Sequence, residues 1–295
     1  MYTFSNTLRT ALNAGNPQRV LLEFTDYSPA VQFSNEDIML SQGLQLNTEF
    51  NSETDLTVGQ CTSAEICFTL RNDSNQLASF GFGEFTAYLG ARIDTGTPAS
   101  GAKTKTFTEK GASALYEFAP LGVFIAERPN VVRTNVIDVT AHDRMQLFDV
   151  DMPSATDLGV TYPTTLANLV QKMCAYLGVA LQSAVFLNAN LSVSKEPDVF
   201  ASSTMREVLG LVAEAACSMA RFNRLGRLEL TWFNTTDKVY DEHNYSEMTQ
   251  YWYQTRAIDK LHIRNADSTA EYTTGSGSNA YMIQDNPFLR QSDGN

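Results

Sequence analysis

A chain of 295 residues has room for two domains, and 43% hydrophobic residues are enough to bury a core. Only 18% of residues are charged, and acidic residues outnumber basic ones by 33 to 21, which gives a net charge of −12. This balance excludes a basic footprint for nucleic acid and disfavours binding to anionic membranes. No apolar run is long enough to span a bilayer, and residues 1–15 lack the features of a signal peptide, so we expect folding in a cytoplasm.

The first segment, from Met1 to about Val150, predicts a mainly antiparallel β domain. Short alternating runs bounded by turn residues predict strands at Gln18–Phe24, Gly43–Phe50, Thr62–Leu70, Gly83–Ile93, Tyr116–Ala126 and Asn135–His142. No strong helix pattern separates them, which indicates a sheet or a tube-like barrel. Asp94–Gly111 lacks a pattern and predicts a long flexible hairpin loop, either simply exposed or touching a neighbouring subunit.

The second segment, residues 151–234, changes to a helical period. Thr164–Leu177 places apolar residues on one helical face, with Pro163 before it and Gly178 at the position that follows a helix. Thr204 and Glu207 form a capping box that begins a second helix. A hairpin then turns at Asn223–Gly226. We expect a small α/β unit of two helices and a hairpin, inserted into an α+β fold.

The third segment, residues 235–295, is polar and aromatic. Ile258–Arg264 predicts a strand, Asn265–Asn279 a polar loop, and Ala280–Gln284 the returning strand of a hairpin. One hairpin makes a poor free-standing domain. The segment therefore either adds strands to the first β domain or begins a second one.

The search for chemistry centres on His142 and Asp143, which follow a predicted strand. A base and its orienting carboxylate are conceivable here, but sequence neighbours on a strand point apart and no GxSxG elbow supplies a nucleophile. We interpret His142 as a polar group at a strand end, and Asp143 with Arg144 as a surface ion pair. Asp149 and Asp151 lack the further ligands of a calcium loop, so we expect them in a solvated connection.

The remaining motifs indicate no catalytic, cofactor or metal site. Gly81-Phe82-Gly83 precedes a β pattern rather than a helix, so we interpret it as a turn. The four cysteines show neither CxxC nor zinc-ligand spacing, and we expect buried free thiols, with Cys174 and Cys217 on apolar helix positions.

Aromatic residues crowd the start of the third segment and offer a possible interface at Tyr245, Tyr251, Trp252 and Tyr253. Such rings brace a fold when they are half-buried, form hot spots between subunits, or stack on sugars. The absence of basic residues among them disfavours nucleic acid. All three uses of the cluster remain open from the sequence.

Five strings, in this order, resemble the N-terminal part of phage baseplate hub and tail-associated proteins. This family includes the hubs of contractile tails, the tail-tip proteins of long flexible tails and, more distantly, the spike hub of type VI secretion. The strings are Leu56–Ile66, Pro120–Pro129, Val139–Met145, Tyr162–Leu166, and Arg206–Gly210 with the hairpin Asn223–Leu230. Each is weak alone, but together they span about residues 43–233 in the order of the family.

The resemblance implies a homotrimeric ring that connects the tail tube to a spike or fibre. Two tube-like β domains per subunit would form the collar, and the α/β unit would lie outside or below it. The expected partners are other copies of the chain, the distal tail or tail tube protein, and the tape measure protein. The expected place is the tail tip of a virion assembled in the host cytoplasm. Relatives continue past a point like Asn286-Pro287-Phe288 into the rest of the second β domain.

Two other classes of function are consistent with parts of the sequence. A cell-wall-degrading peptidase or glycosidase would act through His142 and Asp143 or nearby carboxylates. A glycan-binding module would use the aromatic cluster around Trp252. The sequence favours a structural protein without enzymatic activity, because every candidate for catalysis lacks a specific partner residue.

Overall fold

The computed structural model describes residues 5–39, 44–48, 58–73, 77, 79–127, 135–232, 259–264 and 271–289. Antiparallel β strands dominate, with a few helices, which confirms the predicted α+β class. The chain divides into two compact units. The first consists of Met1–Glu49, Ser63–Gln146 and Phe222–Leu228, and the second of Phe50–Thr62, Leu147–Arg221 and Glu229–Asn295.

The first unit is an antiparallel sheet in which neighbouring strands follow the order β2-β1-β5-β7-β8-β4-β3, with β6 beside β7. Its elements are α1 (Asn6–Asn13), β1 (Gln18–Phe24), β2 (Val31–Ser34), β3 (Gln45–Asn47), β4 (Glu65–Arg71), β5 (Gly83–Arg92), β6 (Lys103–Glu109), β7 (Ala112–Ala126) and β8 (Val136–Asp143). The six predicted strands are confirmed as β1, β3, β4, β5, β7 and β8, with shifts of a few residues at their ends.

The sheet curls round on itself because the segment after β2 bonds to β4. Ile38 bridges Leu70, Met39 N–H donates to the Thr69 carbonyl at 2.9 Å, and Arg71 N–H donates to the Asp37 carbonyl at 2.7 Å. Alternate residues of the strands face the enclosed core, which is rich in phenylalanine. This core comprises Leu22, Phe24, Phe33, Ile38, Ile66, Phe68, Leu70, Phe82, Phe85, Ala87, Phe124, Ala126, Ile137, Val139 and Ala141. Of the two predicted alternatives, an open sheet and a barrel, the first unit forms the barrel.

A second apolar cluster lies on the other face of β1, β5 and β7, and β6 covers it. Leu21, Phe107, Tyr116 and Phe118 are its buried members. The prediction of a flexible loop over Asp94–Gly111 is therefore wrong, since β6 pairs with β7 over seven residues. Phe107 is the one large apolar residue of β6, so its alternation is carried by threonine and lysine and escapes a search for hydrophobic periodicity.

The helix α1 and the strand β2 are also absent from the sequence prediction. Ser5 caps α1 by accepting a hydrogen bond from Leu8 N–H at 2.9 Å. Only Leu8 and Ala11 of this helix are buried, and they pack with Ala91 and Ala119 of the sheet. Two buried positions in eight residues are too few to produce a recognisable helical stripe.

The second unit contains the predicted helices and most of the predicted hairpin. Its elements are α2 (Ala155–Leu158), β9 (Thr164–Thr165), α3 (Leu166–Tyr176), β10 (Ala180–Leu181), β11 (Ser192–Val193), α4 (Met205–Ala215), β12 (Met219–Phe222), β13 (Arg227–Thr231), β14 (Lys260–Arg264), β15 (Glu271–Gly275) and β16 (Ala280–Gln284). The capping box of Thr204 and Glu207 is confirmed, as are the left-handed Gly178 and the hairpin β12–β13. The tip of that hairpin, Phe222–Leu228, belongs to the first unit.

The last three strands correct the prediction for the third segment. The expected polar loop contains β15, which runs antiparallel to β14, and β16 lies on the other edge of β14 and runs parallel to it. Because β15 is the antiparallel partner of β14 and β16 runs parallel to β14, the expected simple hairpin of β14 and β16 does not form. These strands form a sheet of their own within the second unit. The predicted boundaries of three domains stay a prediction.

Candidate functional site

The carboxylate of Asp143 is buried at the end of β8 and binds main-chain and side-chain donors. Oδ1 accepts hydrogen bonds from Ser63 Oγ and Met145 N–H, and Oδ2 accepts one from Ala64 N–H, each at 2.9 Å. The side chain therefore holds the start of β4 and begins the short 3-10 helix Arg144–Phe148. His142 precedes it on the strand and points to the opposite face. The carboxylate is thus engaged with groups other than the neighbouring imidazole.

Arg144 does not pair with Asp143, so the predicted surface ion pair is wrong. Its guanidinium instead binds both carboxylate oxygens of Glu84 on β5, at 2.7 and 2.6 Å, and donates to the Gly226 carbonyl at 2.9 Å. A Cβ on Gly226 would lie 2.7 Å from Val123 Cγ2, and its φ of +67° also suits glycine. Arg144 therefore fixes the tip of the hairpin against β7.

A comparable junction in the second unit is built around Arg206 of α4. The guanidinium donates to the Cys61 carbonyl from Nε at 3.3 Å and from Nη2 at 3.0 Å, and Nη1 contacts both carboxylate oxygens of Asp149 at 3.1 and 3.0 Å. Asp149 is thus ion-paired rather than merely solvated, which corrects its predicted role. Asp151 makes a main-chain bridge to Thr204.

Glycines allow the chain before Cys61 to pass directly over α4. A Cβ on Gly210 would lie 3.0 Å from the Gly59 carbonyl oxygen, and a Cβ on Gly59 would lie 2.7 Å from Glu214 Cβ. Asn286, at the predicted strand exit, is buried against the same helix. Its Nδ2 donates to the Leu211 carbonyl at 2.8 Å and to Glu214 Oε2 at 2.7 Å. These contacts fix both segments to α4.

A shallow groove of about 780 Å³ lies along this junction, lined by Val58, Cys61, Asp149, Arg206, Leu211 and Glu214. Burial raises the pKa of the Cys61 thiol to about 12, with Asp149 adding to the effect and Arg206 opposing it. Burial also raises the pKa of Glu214, against the hydrogen bond from Asn286. At neutral pH Cys61 is therefore a protonated thiol and a poor nucleophile. Among the described residues, no group of three His, Cys, Asp or Glu side chains is placed to hold a metal ion.

All four cysteines are free thiols, as predicted, but their burial differs. Cys174 is buried in α3, where burial raises its pKa to about 12. Cys217 is exposed and follows α4 with a φ of +46°, so its predicted place on an apolar helix face is wrong. The polypeptide turns there at the end of the helix, one turn earlier than the apolar pattern suggests.

The predicted aromatic interface of Tyr245, Tyr251, Trp252 and Tyr253 lies outside the described residues and stays a prediction. Exposed apolar side chains that the sequence did not single out occur at Val185 and Leu187, which are 87% and 61% exposed. Their loop is anchored, since Asn188 Nδ2 donates to the Ala215 carbonyl at 2.8 Å. A loop of this kind has neither helical nor strand periodicity, so a search for hydrophobic patterns in the sequence does not detect it. No helix in the described part of the chain is long and apolar enough to cross a membrane.

Three of the five strings that carry the sequence resemblance, the first, third and fifth, meet at these junctions. In the first unit, Asp143 binds Ser63 and Ala64, which joins the first string to the third. Arg144 and Gly226 join the third string to the fifth. In the second unit, Arg206 binds Cys61, which joins the fifth string to the first. The matched residues therefore act as joints of the fold.

Comparisons with known proteins give a distant structural likeness. No family model matches the chain, and no curated protein matches it. Among solved structures, the chain is similar to the 43 kDa tail protein of prophage MuSo2 from Shewanella oneidensis, with 10% sequence identity and a TM-score of 0.45. The match covers 90% of this chain and 71% of that one. A likeness of this degree leaves the function of the chain to be argued from its own residues.

Proposed function

We propose that the chain is a structural hub subunit of a phage tail tip or baseplate. In this proposal it forms a homotrimeric ring that connects the tail tube to a spike or fibre, and it resides in the virion after assembly in the host cytoplasm. The observation that carries the proposal is the coincidence of three of the five resembling strings, the first, third and fifth, with the joints of a β barrel and of a helical unit. A β barrel together with a small helical unit is part of the architecture that the resemblance implies.

The composition supports an assembling protein over one that binds nucleic acid. Only 18% of residues are charged and the net charge is −12, so much of the surface is neutral and the rest repels phosphates. A ring with such a surface offers docking areas to the distal tail or tail tube protein and the tape measure protein, and it lets DNA pass without adhering. Closed rings also cover strand edges that would otherwise aggregate.

The proposal includes the absence of catalysis. Asp143, Arg144 and Arg206 are engaged in contacts that hold strands and helices, and the Cys61 thiol is protonated at neutral pH. We expect the purified chain to clear no peptidoglycan. Clearing by the wild type that is lost in His142→Ala would instead establish a hydrolase.

Electron microscopy of the purified chain tests the ring. We expect particles with three-fold symmetry, and binding of the distal tail or tail tube protein to one face of them. Particles with the size of one chain at every concentration would contradict the proposal.

A further inference from the structure

One edge of the strand β6 has no partner strand among the described residues and is suited to pairing with another strand. Among the described strands it pairs with β7 alone. Its seven residues pair in continuous register, without bulge, proline or glycine. Natural proteins usually block such an edge with charges, proline or a bulge, since an open edge recruits other strands. The features that block an edge are therefore missing from the backbone of β6.

The charged side chains of β6 have partners within the chain and turn away from the edge. Lys103 and Lys105 turn onto the face that packs against the sheet, where Lys103 Nζ contacts Glu23 at 2.5 Å and Lys105 Nζ contacts Gln32 at 2.8 Å. The opposite face carries Thr104, Thr106 and Thr108, all exposed. Threonine favours strands and brings no charge. An incoming strand thus meets a neutral, β-branched surface.

The turn beside β6 determines which main-chain groups face the free edge. The loop between β6 and β7 has two residues, Lys110 and Gly111, both with positive φ, which is the geometry of a type I′ turn. The pair that flanks such a turn, Glu109 and Ala112, is a hydrogen-bonded pair, so odd-numbered residues of β6 bond to β7. The N–H and C=O groups of Thr104, Thr106 and Thr108 therefore point outward.

We infer that the β6 edge binds the β6 edge of a second copy of this chain, antiparallel and centred on Thr106. This register makes Thr106 face its own copy and Thr104 face Thr108, so the outward groups form about six main-chain hydrogen bonds. It also places Lys103 opposite Glu109 at both ends, and opposite charges across strands are favourable. The strand is thus complementary to itself around a two-fold axis, and the contact is isologous.

Disulfide trapping tests this register in the full chain. Thr106→Cys, made in a Cys217→Ser background to remove the exposed native thiol, is oxidised mildly with diamide. Facing residues of a hydrogen-bonded pair lie about 5.5 Å apart between Cα atoms, within disulfide reach, so we expect roughly tenfold more covalent dimer than from Thr104→Cys. An equimolar mixture of Thr104→Cys and Thr108→Cys chains should cross-link to each other. Equal cross-linking of Thr106→Cys and Thr104→Cys would overturn the inference.

A second measurement keeps the test independent of cysteine chemistry. Thr106→Glu places two carboxylates opposite each other, whereas Thr106→Val keeps a β-branched neutral side chain. Sedimentation should show self-association weakened roughly tenfold or more in Thr106→Glu and retained in Thr106→Val. Equal association of both variants would overturn the inference. A ring uses a different, heterologous contact, so rings that survive in Thr106→Glu separate failure of this contact from failure of the proposed function.

Discussion

At the scale of single residues, the buried carboxylate of Asp143 is the joint with the clearest energetic consequence. We predict that Asp143→Asn lowers the free energy of unfolding by about 2–3 kcal/mol, because an amide cannot accept all of its hydrogen bonds and the charge that strengthens them is lost. Urea denaturation measures the change. Asp138→Asn is the matched control on the same strand, since its exposed carboxylate accepts a hydrogen bond from Thr69 at 2.7 Å. Equal losses in both variants would contradict the assigned role.

Glu117 offers a residue-scale prediction of opposite sign. It is 2% exposed, Oε1 accepts a hydrogen bond from Ser5 Oγ, and among the described residues Oε2 accepts none. Glu117→Gln keeps an acceptor for Ser5 and removes a formal charge from an apolar site. We expect thermal unfolding to show unchanged or raised stability, by up to about 1 kcal/mol. A loss of that size would indicate that the charge itself is needed.

The hydrogen-bond partners of the polar residues could not be predicted from the sequence alone. Asp143 and Arg144 are adjacent and opposite in charge, which suggests a surface pair, but alternation along β8 sends the carboxylate inward to Ser63. Arg144 then binds Glu84, sixty residues away in the chain. Spacing along the sequence cannot reveal such partners, because they depend on which strands become neighbours. The capping box of Thr204 was predictable because both of its partners lie within one turn.

At the scale of elements, the close packing of β5 against β7 at the second apolar cluster depends on Gly90, which pairs with Phe118. A Cβ there would lie 2.5 Å from the Phe118 ring. We predict that Gly90→Ala costs about 2–3 kcal/mol of stability through overpacking. Adding Phe118→Leu should recover part of that loss, although Phe118→Leu alone is destabilising. A double-mutant cycle with strictly additive losses would contradict a clash between these two positions.

The ion pair between Lys103 of β6 and Glu23 of β1 leads to a prediction about the pH dependence of stability. Burial tends to raise the pKa of Glu23, but hydrogen bonds from Lys103, Gln32 and Tyr88 and the charge of Lys103 outweigh it and hold the pKa below its ordinary value of 4.5. A lowered pKa in the folded state means stability that is present above 4.5 and lost as pH falls through the folded value. Between about pH 5 and about pH 3, wild type should lose more stability than Glu23→Gln. Identical pH profiles of wild type and Glu23→Gln in urea denaturation would contradict this role of the Glu23 carboxylate.

Elements with hydrophobic alternation or a full apolar stripe were predictable, and those without it were not. The strands β1 and β5 place apolar residues at every second position, and α3 and α4 carry complete stripes. The helix α1 buries two residues, β6 alternates threonine with lysine, and β15 is an exposed strand of polar residues. These three contain few large apolar residues, so their own sequences carry little of the hydrophobic pattern that predicts a helix or a strand.

At the scale of the whole molecule, the best-bonded polar groups among the described residues hold strands and helices together within each unit. The arginines Arg144 and Arg206 hold segments that are distant in sequence, and the charged fraction of the chain is low. This distribution suits a subunit whose function is to be held in place and to hold others. The β6 edge and the loop of Val185 and Leu187 are the described features that most resemble docking surfaces, since each presents groups that other proteins cover.

The mass of the full chain in solution tests the central claim most directly. Light scattering after size exclusion, on the wild type and on Thr106→Glu, measures it over a range of concentrations. We predict that Thr106→Glu has about three times the 32.6 kDa of one chain, as a trimeric hub requires, and that wild type forms the same trimer or pairs of it. A folded Thr106→Glu protein that stays at the mass of one chain at the highest concentration would contradict the account.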